Sequence, residues 1–132
     1  MNRLRVADAP LQRDLATPAL RAFFNITRLG GLTNEQERTL LGSPGRSTFY
    51  RWKRDLGGQL PHDVLERISY VLGIYKALHL IFGDDRQADG WITRENAAPL
   101  FGGRSALDRM LGGQVADLFV VRQYLDVQRG WG

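Results

Sequence analysis

A chain of 132 residues with no cysteine, 43% hydrophobic and 24% charged, is one globular domain's worth and has no disulfide framework, thiolate nucleophile or cysteine-ligated zinc site. Its net charge of +4 is unevenly placed: residues 1–60 hold ten Lys/Arg against five Asp/Glu, and residues 61–132 hold eight against nine. A basic half joined to a nearly neutral half points to an anionic partner for the first half.

The opening MNRLRVADAPLQRD carries arginines but no apolar run behind them, so it does not read as a signal peptide; residues 1–16 are expected to form a flexible arm. The first helix is predicted from about Thr17 to Leu29, with Pro18 at its first position and Leu20, Phe23, Phe24 and Ile26 on its buried side. Thr33 opens a second helix, because TNEQ matches a capping box in which Gln36 reaches back to the cap. After Leu40 and Leu41 the run GSPG forces a turn, and a third helix follows from about Ser47 to Gly57.

Pro61 opens a long fourth helix, with Asp63 and Glu66 in its first turn. Its later part, Ile74 to Phe82, is apolar nearly all round and therefore needs burial on several sides. Lys76 and His79 interrupt its most apolar stretch, which is too short for a membrane span, so a cytoplasmic protein without membrane contact is expected. GDDRQADGW reads as a loop, followed by short helices near Thr93–Leu100 and Ser105–Leu111 and a last one from Val115 to Arg129. No segment alternates convincingly as a strand, so the predicted fold class is all-α.

Two helices joined by a Gly- and Pro-rich turn of about four residues make a helix-turn-helix, placed at residues 17–60. On its second helix Phe49, Trp52 and Leu56 share one face and suit a core. Arg46, Ser47, Thr48, Tyr50, Arg51 and Arg54 project from the remainder, with Lys53 at the margin; these seven are the candidate DNA contacts. Arginine offers a bidentate fork to guanine and phosphate, and the hydroxyls add short-range donors. Basic helix faces are often merely solvated. Here a capped preceding helix, a tight turn and a charge excess confined to one half favour DNA.

The remaining motifs do not support catalysis. The Gly-Gly pairs lack the P-loop and dinucleotide-binding patterns and instead end helices. Asp84, Asp85 and Asp89 lack EF-hand register, and His62 and His79 have no paired nucleophile or ligand spacing. A protein without enzymatic activity, cofactor or metal is expected.

The helix-turn-helix closing with STFYRWK, together with GWITRENAAPLFGGRSALDRMLGG and the following VVRQYLD, resembles the Xre/MbcA/ParS antitoxins. The matching residues are Trp91, Asn96, Gly102-Gly103, Leu107-Asp108 and Tyr124-Leu125. One departure is Ala106, where many relatives carry proline. The resemblance covers about residues 20–130 and implies a type II toxin–antitoxin system. Its partner would be a RES-domain toxin that consumes NAD, and the antitoxin would also repress the shared promoter on operator DNA. Residues 61–132 would then be a helical dimerisation and toxin-binding domain. The candidate toxin contacts are Trp91, Asn96 and Tyr124, which match the family, together with Arg104, Arg129 and Trp131. Flanked by glycines, Trp131 has little local structure to bury it, so with Arg129 it suits a tail that reaches the toxin rather than one that frays or docks on its own chain.

A single recognition helix reads few base pairs, so a homodimer or a higher hetero-oligomer with toxin is expected. Ile74, Leu78, Ile81 and Phe82 are candidates for that contact. The alternative is a stand-alone DNA-binding regulator whose C-terminal half only oligomerises; a further one is an adaptor that has lost DNA binding.

Overall fold

The computed structural model describes the backbone of residues 3–130 and the side chains of residues 15–130. Among the described residues seven α-helices run in order: α1 (Arg3–Leu29), α2 (Asn34–Leu40), α3 (Arg46–Asp55), α4 (His62–Ile81), α5 (Asp85–Gly90), α6 (Ala106–Met110) and α7 (Val115–Gln128). A 3-10 turn, Trp91–Thr93, follows α5. The fold is all-α, as the spacing predicts, and the described residues form only an isolated bridge between Glu95 and Ser105.

Helix α4 is the spine. It packs against α1 on one side and α7 on another, and α5 folds back on its C-terminal end. One continuous core results, in which Leu20 and Phe23 of α1, Leu40 of α2, Phe49 and Trp52 of α3, Val71 and Ile74 of α4 and Leu118 and Val121 of α7 are buried. At about 25 cal/mol per Å² such side chains contribute roughly 1.5–3 kcal/mol each relative to exposure. Gly73 lets α7 lie close, because a side chain there would run into the Arg122 guanidinium.

Local signals set the ends of the elements. Thr33 accepts from the Gln36 amide at 3.1 Å while the Gln36 side chain accepts from the Thr33 amide at 2.9 Å, the reciprocal cap that the sequence predicts. Ser105 and Asp108 make the same exchange at α6. The turn between α2 and α3 is held by Arg38, whose Nη1 donates to the Pro44 carbonyl at 2.8 Å. Gly42 there has φ 93°, a conformation that favours glycine, and its bare α-carbon lies against Arg67.

Four expectations need correction. Helix α1 begins at Arg3 rather than Thr17, so Pro18 lies inside it and residues 3–16 are helical rather than an arm. Residues 85–90 form α5 rather than part of a loop, because the Asp84 carboxylate accepts from the Arg86 and Gln87 amides and caps a helix there. Residues 94–105 are a loop, not a helix: Asn96 Oδ1 accepts from the Ala98 amide, the Asn96 amide donates to the Arg104 carbonyl, and Gly102 and Gly103 both have positive φ. Finally, Ile74 and Leu78 are fully buried within the chain and so are not a dimer surface, whereas Leu80 and Ile81 are exposed.

Candidate functional site

The helix-turn-helix forms with the predicted face outward. Phe49 and Trp52 are buried, Phe49 meeting Phe24 edge-on at 5.8 Å, and this anchors α3 to α1. Arg46, Ser47, Tyr50, Arg51 and Arg54 are exposed on the opposite side, and Thr48 is half-buried at its edge. The first amides of α3 have no side-chain cap, since the preceding residue is Gly45.

The cations on this face differ in their engagements. Arg46 pairs with Glu35 at 3.0 Å and Arg54 with Asp55 at 2.8 Å, all on exposed side chains. Glu35 also accepts from Arg38; hydrogen bonds from Arg38 and then Arg46 hold its carboxyl below the ordinary glutamate value. Asp55 is lowered likewise, chiefly by its hydrogen bond from Arg54. Arg51 makes no hydrogen bond or ion pair among the described residues. Exposed pairs of this kind are weak enough to be exchanged for phosphate.

Lys53 is engaged differently from the other cations of α3. Its ammonium donates to the buried Glu37 carboxylate at 2.7 Å and to Asn34 Oδ1 at 2.6 Å, and lies 5.3 Å from the Phe24 ring centroid. Glu37 also accepts from Thr27 Oγ1 at 2.5 Å. A carboxylate only 2% exposed needs such partners, so Lys53 is committed to holding α3 on α2 and α1. Sequence spacing alone does not reveal this, because it requires knowing that Glu37 faces inward.

The second group of candidates gathers around an aromatic cluster. Trp91 stacks on Tyr124 with centroids 6.3 Å apart and meets Phe101 edge-on at 5.8 Å; Phe101 and Tyr124 meet at 5.2 Å. Trp91 and Tyr124 are half-buried, so one part of each ring serves the core and the rest is open. Asn96 organises the neighbouring loop. Arg104, 76% exposed at its side chain, stands beside Asp108 at 3.4 Å. Arg129 is largely covered and lies 3.7 Å from Asp126, which folds it back on α7 instead of extending it as a tail. Trp131 lies outside the described residues.

The structure also supplies residues that the sequence reading missed. A groove beside α3 brings in Arg21, Asn25 and Arg28 from α1. Arg21 and Arg28 fall seven residues apart, a helical signal that was available in the sequence. No helix among the described residues is long and apolar enough to cross a membrane.

Comparison with known proteins follows the same division. A family model described as an antitoxin Xre-like helix-turn-helix domain matches residues 9–73. A second, described as an antitoxin Xre/MbcA/ParS C-terminal toxin-binding domain, matches residues 77–130. A protein of Sinorhizobium fredii (strain NBRC 101917 / NGR234), described as uncharacterized protein y4oB, is 50% identical over 123 residues, covering 92% of this chain and 93% of that one.

Proposed function

Since this chain belongs to the Xre/MbcA/ParS antitoxin family, we propose that it neutralises a RES-domain, NAD-consuming toxin and represses the promoter the two share. The helix-turn-helix and the toxin-binding domain support an antitoxin; the RES partner and the repression rest on the family resemblance.

The observation that carries the DNA half is the exposed α3 face, where Arg46, Ser47, Tyr50, Arg51 and Arg54 stand free of the core beside uncapped helix amides. On DNA the paired arginines exchange an exposed carboxylate for phosphate, and Arg51, which faces the Asp55 charge without a direct contact, has no hydrogen bond to give up. Lys53 is left out of this set. The toxin half rests on the open edges of Trp91 and Tyr124, with Arg104 nearby as an exposed cation at the rim. Neither matched family is an enzyme family, and the chain is read as a binding protein.

Co-expression with the product of the neighbouring gene tests the toxin half. Co-purification together with preserved cellular NAD is the expected result. A neighbour that forms no complex with the full-length chain overturns the antitoxin reading, and a complex whose partner leaves NAD untouched overturns only the RES assignment. For the DNA half, fluorescence anisotropy on the upstream duplex should show affinity falling steeply with salt and weakened by Arg51→Ala. Salt-independent affinity unchanged by that substitution leaves the C-terminal half as the sole functional part.

A further inference from the structure

The basic character of the N-terminal half is not used up by α3. On α1, Arg21, Asn25 and Arg28 follow one another at intervals of four and three residues and so line one exposed stripe. That stripe walls a groove of about 500 Å³, floored by Phe24, Leu32 and Leu56. The opposite wall is Lys53 of α3, whose charge is matched by Glu37. The uncompensated charge of the groove is therefore that of two arginines. Arg21 makes no hydrogen bond or ion pair among the described residues, and Arg28 donates only to the uncharged Asn25 amide oxygen at 2.9 Å.

We infer that this groove is a second contact with the DNA backbone, taking a phosphodiester of the same duplex that α3 reads. The inference rests on the DNA-binding reading of α3 and extends it to α1. Continuity supports it, because Lys53 and the helix-ending Leu56 belong both to α3 and to the groove. So does charge: two guanidiniums without a carboxylate partner face an opening whose best complement is an anion. The chemistry of the floor fits as well. Phe24, Leu32 and Leu56 offer apolar surface to a deoxyribose, while Arg21 and Arg28 take the phosphate oxygens and Asn25 supplies a neutral amide. Such a contact carries no sequence information; it fixes the angle and register at which α3 enters the groove of the duplex.

Anisotropy titrations over a salt series test this on the full chain, using the upstream duplex and a scrambled duplex of the same length. Arg21→Ala and Arg28→Ala are each expected to reduce the salt slope by about one, and the double variant by about two, on both duplexes alike. Arg21→Lys with Arg28→Lys should restore most of the slope, since a point charge suffices for phosphate. Thermal melting should be unchanged, because both side chains are exposed. A double alanine variant with the wild-type slope, in a preparation where Arg51→Ala weakens binding, overturns the groove contact and leaves the α3 reading intact. A double variant that binds DNA normally but loses the co-expressed toxin assigns the groove to the protein partner and also overturns it. Wild-type protein without salt-dependent DNA binding removes both readings together.

Discussion

Glu37→Ala is expected to cost this protein about 3 kcal/mol of stability. The carboxylate is 2% exposed, accepts from Thr27 Oγ1 at 2.5 Å and from the Lys53 ammonium at 2.7 Å, and so joins α1, α2 and α3 at one point. A hydrogen bond to a charged group contributes about 1.5–3 kcal/mol. The lower end applies to Lys53, because its side chain is 38% exposed and water takes over part of the interaction. Thr27 keeps the Phe24 carbonyl as an acceptor at 3.2 Å, so its hydroxyl is not orphaned when Glu37 is removed. Against a total stability of roughly 5–15 kcal/mol, such a loss lowers the melting temperature by roughly 10 °C.

Lys53→Met should cost about as much, since it leaves a buried carboxylate with a single hydroxyl donor, while Glu37→Gln should cost about 1 kcal/mol. Urea unfolding followed by circular dichroism measures all three, and Glu37→Ala with Lys53→Met closes the cycle at less than the sum of the single changes. The reasoning fails if Glu37→Ala unfolds within about 0.5 kcal/mol of wild type. It fails equally if Lys53→Met keeps full stability and instead weakens DNA binding, which would return Lys53 to the recognition face.

Further outcomes follow from the contacts of Tyr75, Glu35 and Trp91. The Tyr75 hydroxyl is buried with no hydrogen-bond partner among the described residues, so Tyr75→Phe should raise stability by about 1 kcal/mol in a urea melt. Burial, with the Asp89 carboxylate adding to it, pushes the Tyr75 phenol well above its ordinary value of 10.0. The unfolded chain therefore releases this proton first, and stability falls as pH rises beyond the unfolded value near 10, so Tyr75→Phe should flatten the alkaline limb of the pH–stability curve. The Glu35 carboxyl should titrate below 4.5 by NMR, and Arg46→Ala should move it back toward that value; its ion pairs persist at neutral pH and are lost as acid protonates it. Trp91→Ala should destabilise the chain by about 2–4 kcal/mol as well as weakening toxin capture, because the ring serves the core and the surface together.

The features legible in the sequence are those set by neighbours in the chain. Thr33 and Gln36 are three residues apart, so their mutual cap can be read directly; Phe49 and Trp52 likewise reveal the buried side of α3 by spacing alone. What escapes is what depends on distant partners. The inward pull on Lys53 comes from Glu37, sixteen residues earlier and on another helix. Asp84 carries the same side chain whether it ends α4 or starts α5, and only the Arg86 and Gln87 amides decide. Pro18 suits a first helical position locally, yet α1 continues through it. Arg129 reads as part of a tail with Trp131 until the helix brings Asp126 back to it. The family motif singles out Trp91 and Tyr124 but does not reveal that the two rings stack on each other.

A boundary near residue 60 assigns α4 wholly to the toxin-binding half, and the packing argues for a shared helix. The two family matches end and resume at residues 73 and 77, both inside α4, where no turn or linker interrupts the helix. Val64, Ile68 and Val71 join the same buried cluster as Leu20 and Phe23 of α1, while Leu118 and Val121 complete it from α7. A fragment ending at Leu60 therefore lacks the apolar wall that covers α1, and each missing large side chain withdraws about 1.5–3 kcal/mol of burial. Such a fragment should lose cooperative unfolding, although α2 and α3 keep their caps and sequence. One extended through Ile81 regains the wall on α1 but exposes the face of α4 that α7 covers, so it should fold only partly and associate. Circular dichroism and sedimentation on the two fragments give the answer. A residue 1–60 fragment that melts cooperatively as a monomer would show the helix-turn-helix to be an independent domain and α4 to belong to its neighbour alone.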